Sequence, residues 1–223
     1  MIERLALLWP EIVLFATTCV VMVVGLSPNP GIRRGVPFLA GVGLLAATVL
    51  GLNGPNGGGL LPFMMPYAKA IIGGVGLLLL MLLAGTVDRE DEERIDRGEM
   101  RFNPLRSNIA EFYAFFLFSL TGLMLCATAN DLVWLFLALE LTSLPTYIMV
   151  TISTRTARSQ EAGVKYFFLG ALGAAIFLYG FAMLYGGTGT TRLWGTAEAP
   201  GIAEILASQG MNSIALLGIL LSI

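Results

Sequence analysis

Six runs of about 20 mostly apolar residues leave this chain one environment in which to fold. A bilayer's hydrocarbon core is about 30 Å thick, and about 20 helical residues are needed to cross it. The windows Leu5–Leu26, Val36–Asn53, Ala68–Val87, Ile109–Ala129, Leu132–Ile152 and Ala162–Gly186 meet that length. A seventh run starts near Met211 and reaches Ile223, a shorter stretch than a full span requires. With 56% of its residues hydrophobic and only 13% charged, the chain cannot clothe a soluble core of this size in polar surface. The expected fold class is an all-α, polytopic transmembrane protein.

The side chains also limit the chemistry. Histidine is absent, which removes the usual zinc, haem and imidazole-base sites. Cys19 and Cys126 both lie inside apolar runs and read as small buried hydrophobes rather than a disulfide or iron–sulfur framework. No nucleotide-binding loop, metal-ligand spacing or nucleophile elbow occurs. There is no basic patch with interleaved aromatics, so nucleic acid is not an expected partner. The chain itself is expected to hold no metal, cofactor or redox centre.

The punctuation between windows is clear. SPNPG (Ser27–Gly31) closes the first and NGPNGGG (Asn53–Gly59) the second. Pro10, Glu11 and the length of the first window argue for a retained helix, not a cleaved signal peptide. Gly187–Gly210 is less apolar and has room for a short interfacial helix. Loops joining windows one to two, three to four and five to six carry nine arginines: Arg33, Arg34, Arg89, Arg94, Arg97, Arg101, Arg106, Arg155 and Arg158. The other side carries Arg4, Lys69 and Arg192, which predicts an outside N-terminus. The mixed-charge run DREDEERIDRGE reads as a solvated cytoplasmic loop, with a contact surface for a neighbouring subunit as the alternative. Gly73, Gly74, Gly76, Gly170, Gly173 and Gly180 read as sites of close helix packing.

Glu140 stands near the middle of DLVWLFLALELTSLPTYIMVT (Asp131–Thr151). A charge at that depth costs about 2.5–3.5 kcal/mol on insertion scales, and such residues mark ion or proton pathways. Ser143 and Tyr147 follow at helical spacing, with Thr142 and Thr146 close by, so a polar stripe is expected. Pro145 offers no N–H to the carbonyl of Leu141 and is expected to loosen the helix there. Buried carboxylate, hydroxyls and freed carbonyls are the materials of a hydrated proton path, while the alternative is a structural carboxyl that pins packing. Lys165 has two readings as well. It either snorkels to the surface beside Glu161, or points inward towards Glu140, about 9 Å deeper at 1.5 Å per residue. Glu11 and Glu111 are explained by helix N-termini and Asp131 by an N-cap.

EFYAFFLFSLTGLMLCATANDLVWLFLALELTSLPTY (Glu111–Tyr147) and RSQEAGVKYFFLGALGAAIFLYGFAMLYGGTGTT (Arg158–Thr191) resemble the N (ND2-like) subunit of NADH:quinone oxidoreductase, complex I. LLWPEIVLF (Leu7–Phe15) is similar to that subunit's first helix. The related L and M subunits and Mrp-type cation/proton antiporters also carry a glutamate here, but favour a bulky aromatic where this chain has Leu139. The resemblance implies the N-terminal part of a fourteen-helix, antiporter-like subunit. Residues 1–107 would supply three leading helices and the charged loop, and 108–223 the start of the first five-helix repeat, reaching into its fourth helix. It implies proton translocation coupled to quinone reduction, with Glu140 and Lys165 as relay groups. NADH, FMN, iron–sulfur clusters and quinone would belong to the rest of the complex, and the paralogous and small membrane subunits of the cell inner membrane would be the partners. A Mrp-type antiporter subunit, or a structural remnant without transport, are the alternatives.

Overall fold

Proline, glycine and short polar caps decide where the apolar windows become helices. The computed structural model describes residues 7–54, 64–84, 94, 97–99, 108–153, 156–196 and 199–223. Helix α1 (Trp9–Gly25) has Pro10 in its first turn, where the missing N–H has no intrahelical partner to lose. A short α2 (Pro30–Arg34) is capped by Asn29, which accepts the N–H of Gly31 at 3.0 Å. Then come α3 (Val36–Leu52) and α4 (Met65–Leu83), both with proline in the first turn. After the charged loop follow α5 (Ile109–Ala127), α6 (Leu132–Ile152) and α7 (Ala157–Thr188). A short helix, α8 (Ile202–Gln209), stands in the less apolar stretch, and α9 (Ser213–Leu221) follows.

The windows and the helices agree closely, with two informative differences. Helix α1 has 17 residues, fewer than the Leu5–Leu26 window, and sits at the short end of what crosses a bilayer. Helix α7 has 32 residues against the expected Ala162–Gly186. Thr156 caps it by accepting the N–H of Ser159, so the helix begins in the polar turn ahead of the apolar run. At 1.5 Å per residue it is about 48 Å long, roughly 18 Å more than the hydrocarbon core. It ends at Gly189, whose φ of 72° is the left-handed conformation that closes many helices. Among the described residues five helical segments are long and apolar enough to span, and α1 is a shorter apolar helix. Most of the charged run between α4 and α5 lies outside the described residues.

Helix α5 is the hub. Its spanning window is 61% buried, against 17–28% in the other four. Helices α1, α3 and α4 pack around it and α6 packs against it too, then α7 against α6 and α9 against α7. Leu14, Val21, Leu44, Leu80, Leu117 and Met124 form the core of the first group. Leu132, Phe181, Leu184, Ile202 and Ala215 tie α6, α7, α8 and α9 together.

Without water to drive helices together inside a membrane, close backbone approach holds them. A Cβ at Gly122 of α5 would stand 2.6 Å from the amide nitrogen of Thr142 and 2.8 Å from the carbonyl oxygen of Ala138, both on α6. Gly180 of α7 and Gly218 of α9 meet reciprocally, each facing the other's carbonyl. The expected packing role holds for Gly73 against Thr48, Gly76 against Leu120, and Gly170 against Tyr147. It fails for Gly74 and Gly173, which face open space with no atom within 4 Å. Helical spacing alone does not reveal which turn of a helix meets a neighbour.

Candidate functional site

Three contacts hold α6 in place around Glu140. At its start Asp131 caps the helix as expected, accepting the N–H groups of Val133 at 2.9 Å and Trp134 at 3.4 Å. Beyond Glu140 the hydroxyl of Ser119 on α5 donates to the Thr142 carbonyl at 3.0 Å. At the far end Ser159 of α7 donates to the Val150 carbonyl at 2.6 Å. Glu140 is the ninth residue of the helix, about 12 Å from its start.

The polar stripe exists, but its hydroxyls are already occupied. Thr142 donates to the Ala138 carbonyl and Ser143 to the Leu139 carbonyl, each at 3.0 Å, while Thr146 donates to the Ser143 carbonyl at 2.6 Å. Such back-bonding satisfies a hydroxyl inside lipid and bends a helix slightly. Helix α6 runs unbroken through the buried Pro145. Tyr147 is buried, its ring edge-on to Tyr166 at 4.7 Å and to Phe167 at 5.9 Å. These aromatics close the α6–α7 interface on one side of Glu140.

Glu140 itself is half-buried. Among the described residues no ion pair or side-chain hydrogen bond is recorded to it. Its same-face neighbours Leu137 and Leu144 are 61% and 45% exposed, so the carboxylate lies at the rim of a face of α6 that this chain leaves open. Lys165 is exposed, and its ammonium meets Glu161 of the same helix. The structure therefore does not bring Lys165 and Glu140 together within this chain. Glu111 is exposed in the first turn of α5, where helix polarity accounts for it.

Glu11 has more than a helix N-terminus. Its Oε1 lies 2.7 Å from Lys69 Nζ of α4, with both side chains almost fully buried at 3–4% exposure. The same ammonium also donates to the Leu7 carbonyl at 2.7 Å. Sequence reasoning passed over this pair by treating Lys69 as a loop charge. The available signal was two opposite charges, each about a turn inside a helix start, on the same predicted side.

A second polar cluster joins the start of α6 to the segment between α7 and α8. Asn130 holds Trp194 from both sides of the backbone, accepting its N–H at 3.0 Å and donating to its carbonyl at 3.2 Å. Asp131 also accepts the hydroxyl of Thr191, and Leu132 donates its N–H to the Thr191 carbonyl at 2.8 Å. Glu204 of α8 accepts the N–H groups of Gly195 and Gly201. Its own backbone N–H, with those of Gly195 and Gly201, holds its carboxyl below the usual carboxylate range against a smaller opposing effect of burial. A depressed carboxyl stabilises the fold above its unfolded pKa of about 4.3, and that contribution is lost as pH falls through the folded value. Protection of the Gly195 and Gly201 amides, corrected for intrinsic exchange, is expected to fall in that acid window and to lose this pH dependence in Glu204→Gln. No group of three metal-ligating side chains gathers among the described residues.

A bundle of apolar helices, one of them carrying an ionisable residue near mid-span, defines a polytopic membrane protein. Residues 129–223 match the family described as NADH:quinone oxidoreductase/Mrp antiporter, transmembrane. NADH-quinone oxidoreductase subunit N of Rhodospirillum rubrum is 34% identical over 217 residues, covering 93% of this chain and 40% of that protein. F(420)H(2) dehydrogenase subunit N of Methanosarcina mazei is 32% identical over 205 residues, 90% of this chain and 40% of that protein. Among solved structures, a chain of respiratory complex I from Thermus thermophilus is 28% identical with a TM-score of 0.56, covering 94% of this chain and 43% of that one. A chain of an archaeal membrane-bound sulfane sulfur reductase, at 21% identity and a TM-score of 0.63, shares the fold over 99% of this chain and 43% of that one. The chain is similar to NADH-quinone oxidoreductase N subunits over most of its own length, and spans about 40% of the length of the curated relatives it matches.

Proposed function

We propose that this chain supplies the leading helices and the start of the first antiporter-like repeat of a membrane-arm subunit that moves protons when quinone is reduced. Residues 1–107 would form the leading part and 108–223 the start of the repeat. The observation that carries the reading is Glu140, an ionisable side chain inside α6, within the stretch matched to the NADH:quinone oxidoreductase/Mrp antiporter family. Intramembrane carboxylates of this kind line proton pathways. The open rim beside Glu140 supports a relay partner on a further helix, seated against α6.

Lys165 enters as the second relay group. Its ammonium is engaged by Glu161, so passing charge inward requires that pair to part and the lysine to swing across α7. NADH, FMN, iron–sulfur clusters and quinone belong to neighbouring subunits; this chain contributes the proton path alone. The apolar helices and the likeness to complex I subunits support a multi-pass placement in the inner membrane, and the arginine distribution supports an outside N-terminus.

A Mrp-type antiporter subunit is the second reading, favoured by the family description itself, which names both. Gentle isolation of the native protein from its own membranes separates the two. Co-purification with subunits of a quinone-reducing dehydrogenase is the expected result. Recovery with antiporter subunits alone, in a complex that oxidises no NADH, would replace the first reading with the second.

A further inference from the structure

Helices α6 and α7 run antiparallel and touch at both ends. Near one end Gly163 meets Thr151 and Gly170 meets Tyr147, and near the other Leu132 joins one cluster with Phe181 and Leu184. Between those contacts Leu137 and Leu144 of α6 are 61% and 45% exposed, and a Cβ on Gly173 of α7 would meet no atom within 4 Å. Glu140 lies in that interval. The Tyr147 hydroxyl stands at its edge, so close to Gly170 that any Cβ there would collide with it. Tyr147 is only 8% exposed, yet among the described residues no hydrogen bond engages its hydroxyl. Two other tyrosines differ: the Tyr113 hydroxyl donates to the Leu83 carbonyl at 3.2 Å, and that of Tyr166 meets Thr146 at 3.4 Å. A buried hydroxyl is costly to leave unbonded, so its direction marks where a polar group is held.

We propose that Glu140, Ser143 and Tyr147 share a water-binding site in this interval, with Tyr147 as the positioning residue for the water that hands Glu140 its proton. The site stands on the geometry of α6 and α7; its use rests on the relay reading of Glu140. Ser143 follows Glu140 by three residues and Tyr147 follows Ser143 by four, so the three share one face of α6 over about 10 Å. A buried water needs roughly two to four polar partners. The Ser143 hydroxyl spends its proton on the Leu139 carbonyl at 3.0 Å, which leaves its oxygen lone pairs to accept. The Tyr147 hydroxyl both donates and accepts, and Glu140 supplies a carboxyl. On transfer an O–H bond of the bound water breaks as one forms at Glu140, and that water regains a proton from the one behind it. Tyr147 keeps its own proton, and no electrons move.

The neighbouring polar groups are engaged elsewhere. Thr142 lies against Gly122 of α5, Thr146 donates to the Ser143 carbonyl, and Lys165 holds Glu161. Tyr166 and Phe167 stand edge-on to the Tyr147 ring and fix its direction by packing alone. A polar atom aimed by packed rings is ready for its ligand without rearrangement.

Radiolytic hydroxyl-radical labelling of the full-length subunit, within its complex in lipid nanodiscs, tests the site, because radicals made from a bound water modify the side chain it touches. Tyr147 is expected to be labelled well above Tyr113, which is similarly buried but whose hydroxyl is bonded to protein. Tyr147→Phe keeps the ring, and labelling at that position should fall to the level of Tyr113. Gly173→Val fills the open side without touching a polar group and should suppress the labelling of Tyr147 in the same way. If Gly173→Val does not assemble, Tyr147→Phe supplies the comparison. Labelling of native Tyr147 no higher than that of Tyr113 overturns the site. Coupled proton transport should also fall in Tyr147→Phe, by less than the about hundredfold expected of Glu140→Gln, since water bridges around a missing hydroxyl. Normal transport in Tyr147→Phe beside impaired transport in Glu140→Gln overturns its role in supplying the carboxyl. Normal transport in both variants removes the relay reading instead, and labelling then decides the water site by itself.

Discussion

Glu140→Gln in the intact subunit lowers coupled proton transport by about a hundredfold, the lower end of what losing a positioned proton-transfer group costs. Glutamine keeps the shape of the side chain but holds no exchangeable acid proton. The fold has no reason to fail, because Glu140 is half-buried and has no side-chain partner among the described residues. Removing a charge from the centre of a span also relieves an insertion cost of about 2.5–3.5 kcal/mol. Inverted membrane vesicles report the result as protons accumulated per NADH oxidised, with assembly followed by native electrophoresis. Normal pumping in normally assembled membranes would remove Glu140 from the pathway. Glu140→Asp, which keeps the acid on a shorter stem, should retain part of the activity.

The largest stability effect is expected at the opposite end of the molecule. Lys69→Met leaves the Glu11 carboxylate buried without its cation, and breaking a buried pair in this way costs about 3–5 kcal/mol. Glu11→Gln strands the ammonium and should destabilise on a similar scale. The double variant removes both charges and is expected to lie within about 1 kcal/mol of the native protein, because well-packed neutral side chains replace such pairs with little loss. Unfolding in mixed micelles measures all four corners of this cycle. Simple addition of the two single effects would show that the charges do not interact in the folded protein.

The sequence carries the spans well because hydropathy over 20 residues is a property of the chain alone. Leu132–Ile152 was legible to the residue, and the short α8 appeared where apolar character thins. The start of α7 was not, because Thr156 rather than hydrophobicity sets it. Glu140 and the Asp131 cap were legible because each is anomalous or characteristic in its own window. The partnership of Glu11 with Lys69 was not, because it joins residues 58 positions apart whose meeting depends on how α1 and α4 pack. The hydroxyls of Thr142, Ser143 and Thr146 misled for a related reason: residue type announces polarity but not the carbonyl on which it is spent.

One mechanical consequence follows from how α6 is anchored. Asp131 and Leu132 grip Thr191 at one end, while Asn108 and Ser159 grip the carbonyls of Ile152 and Val150 at the other. A rod clamped at both ends can neither slide nor rotate as a body. It yields by flexing between its supports, at the joint where the ladder of backbone bonds lacks a rung. That joint is Pro145, whose ring occupies the place of an N–H. Bending there tilts the segment that bears Glu140 relative to the segment that bears Tyr147, so the clamps at the two surfaces concentrate any deformation of α6 beside its acid.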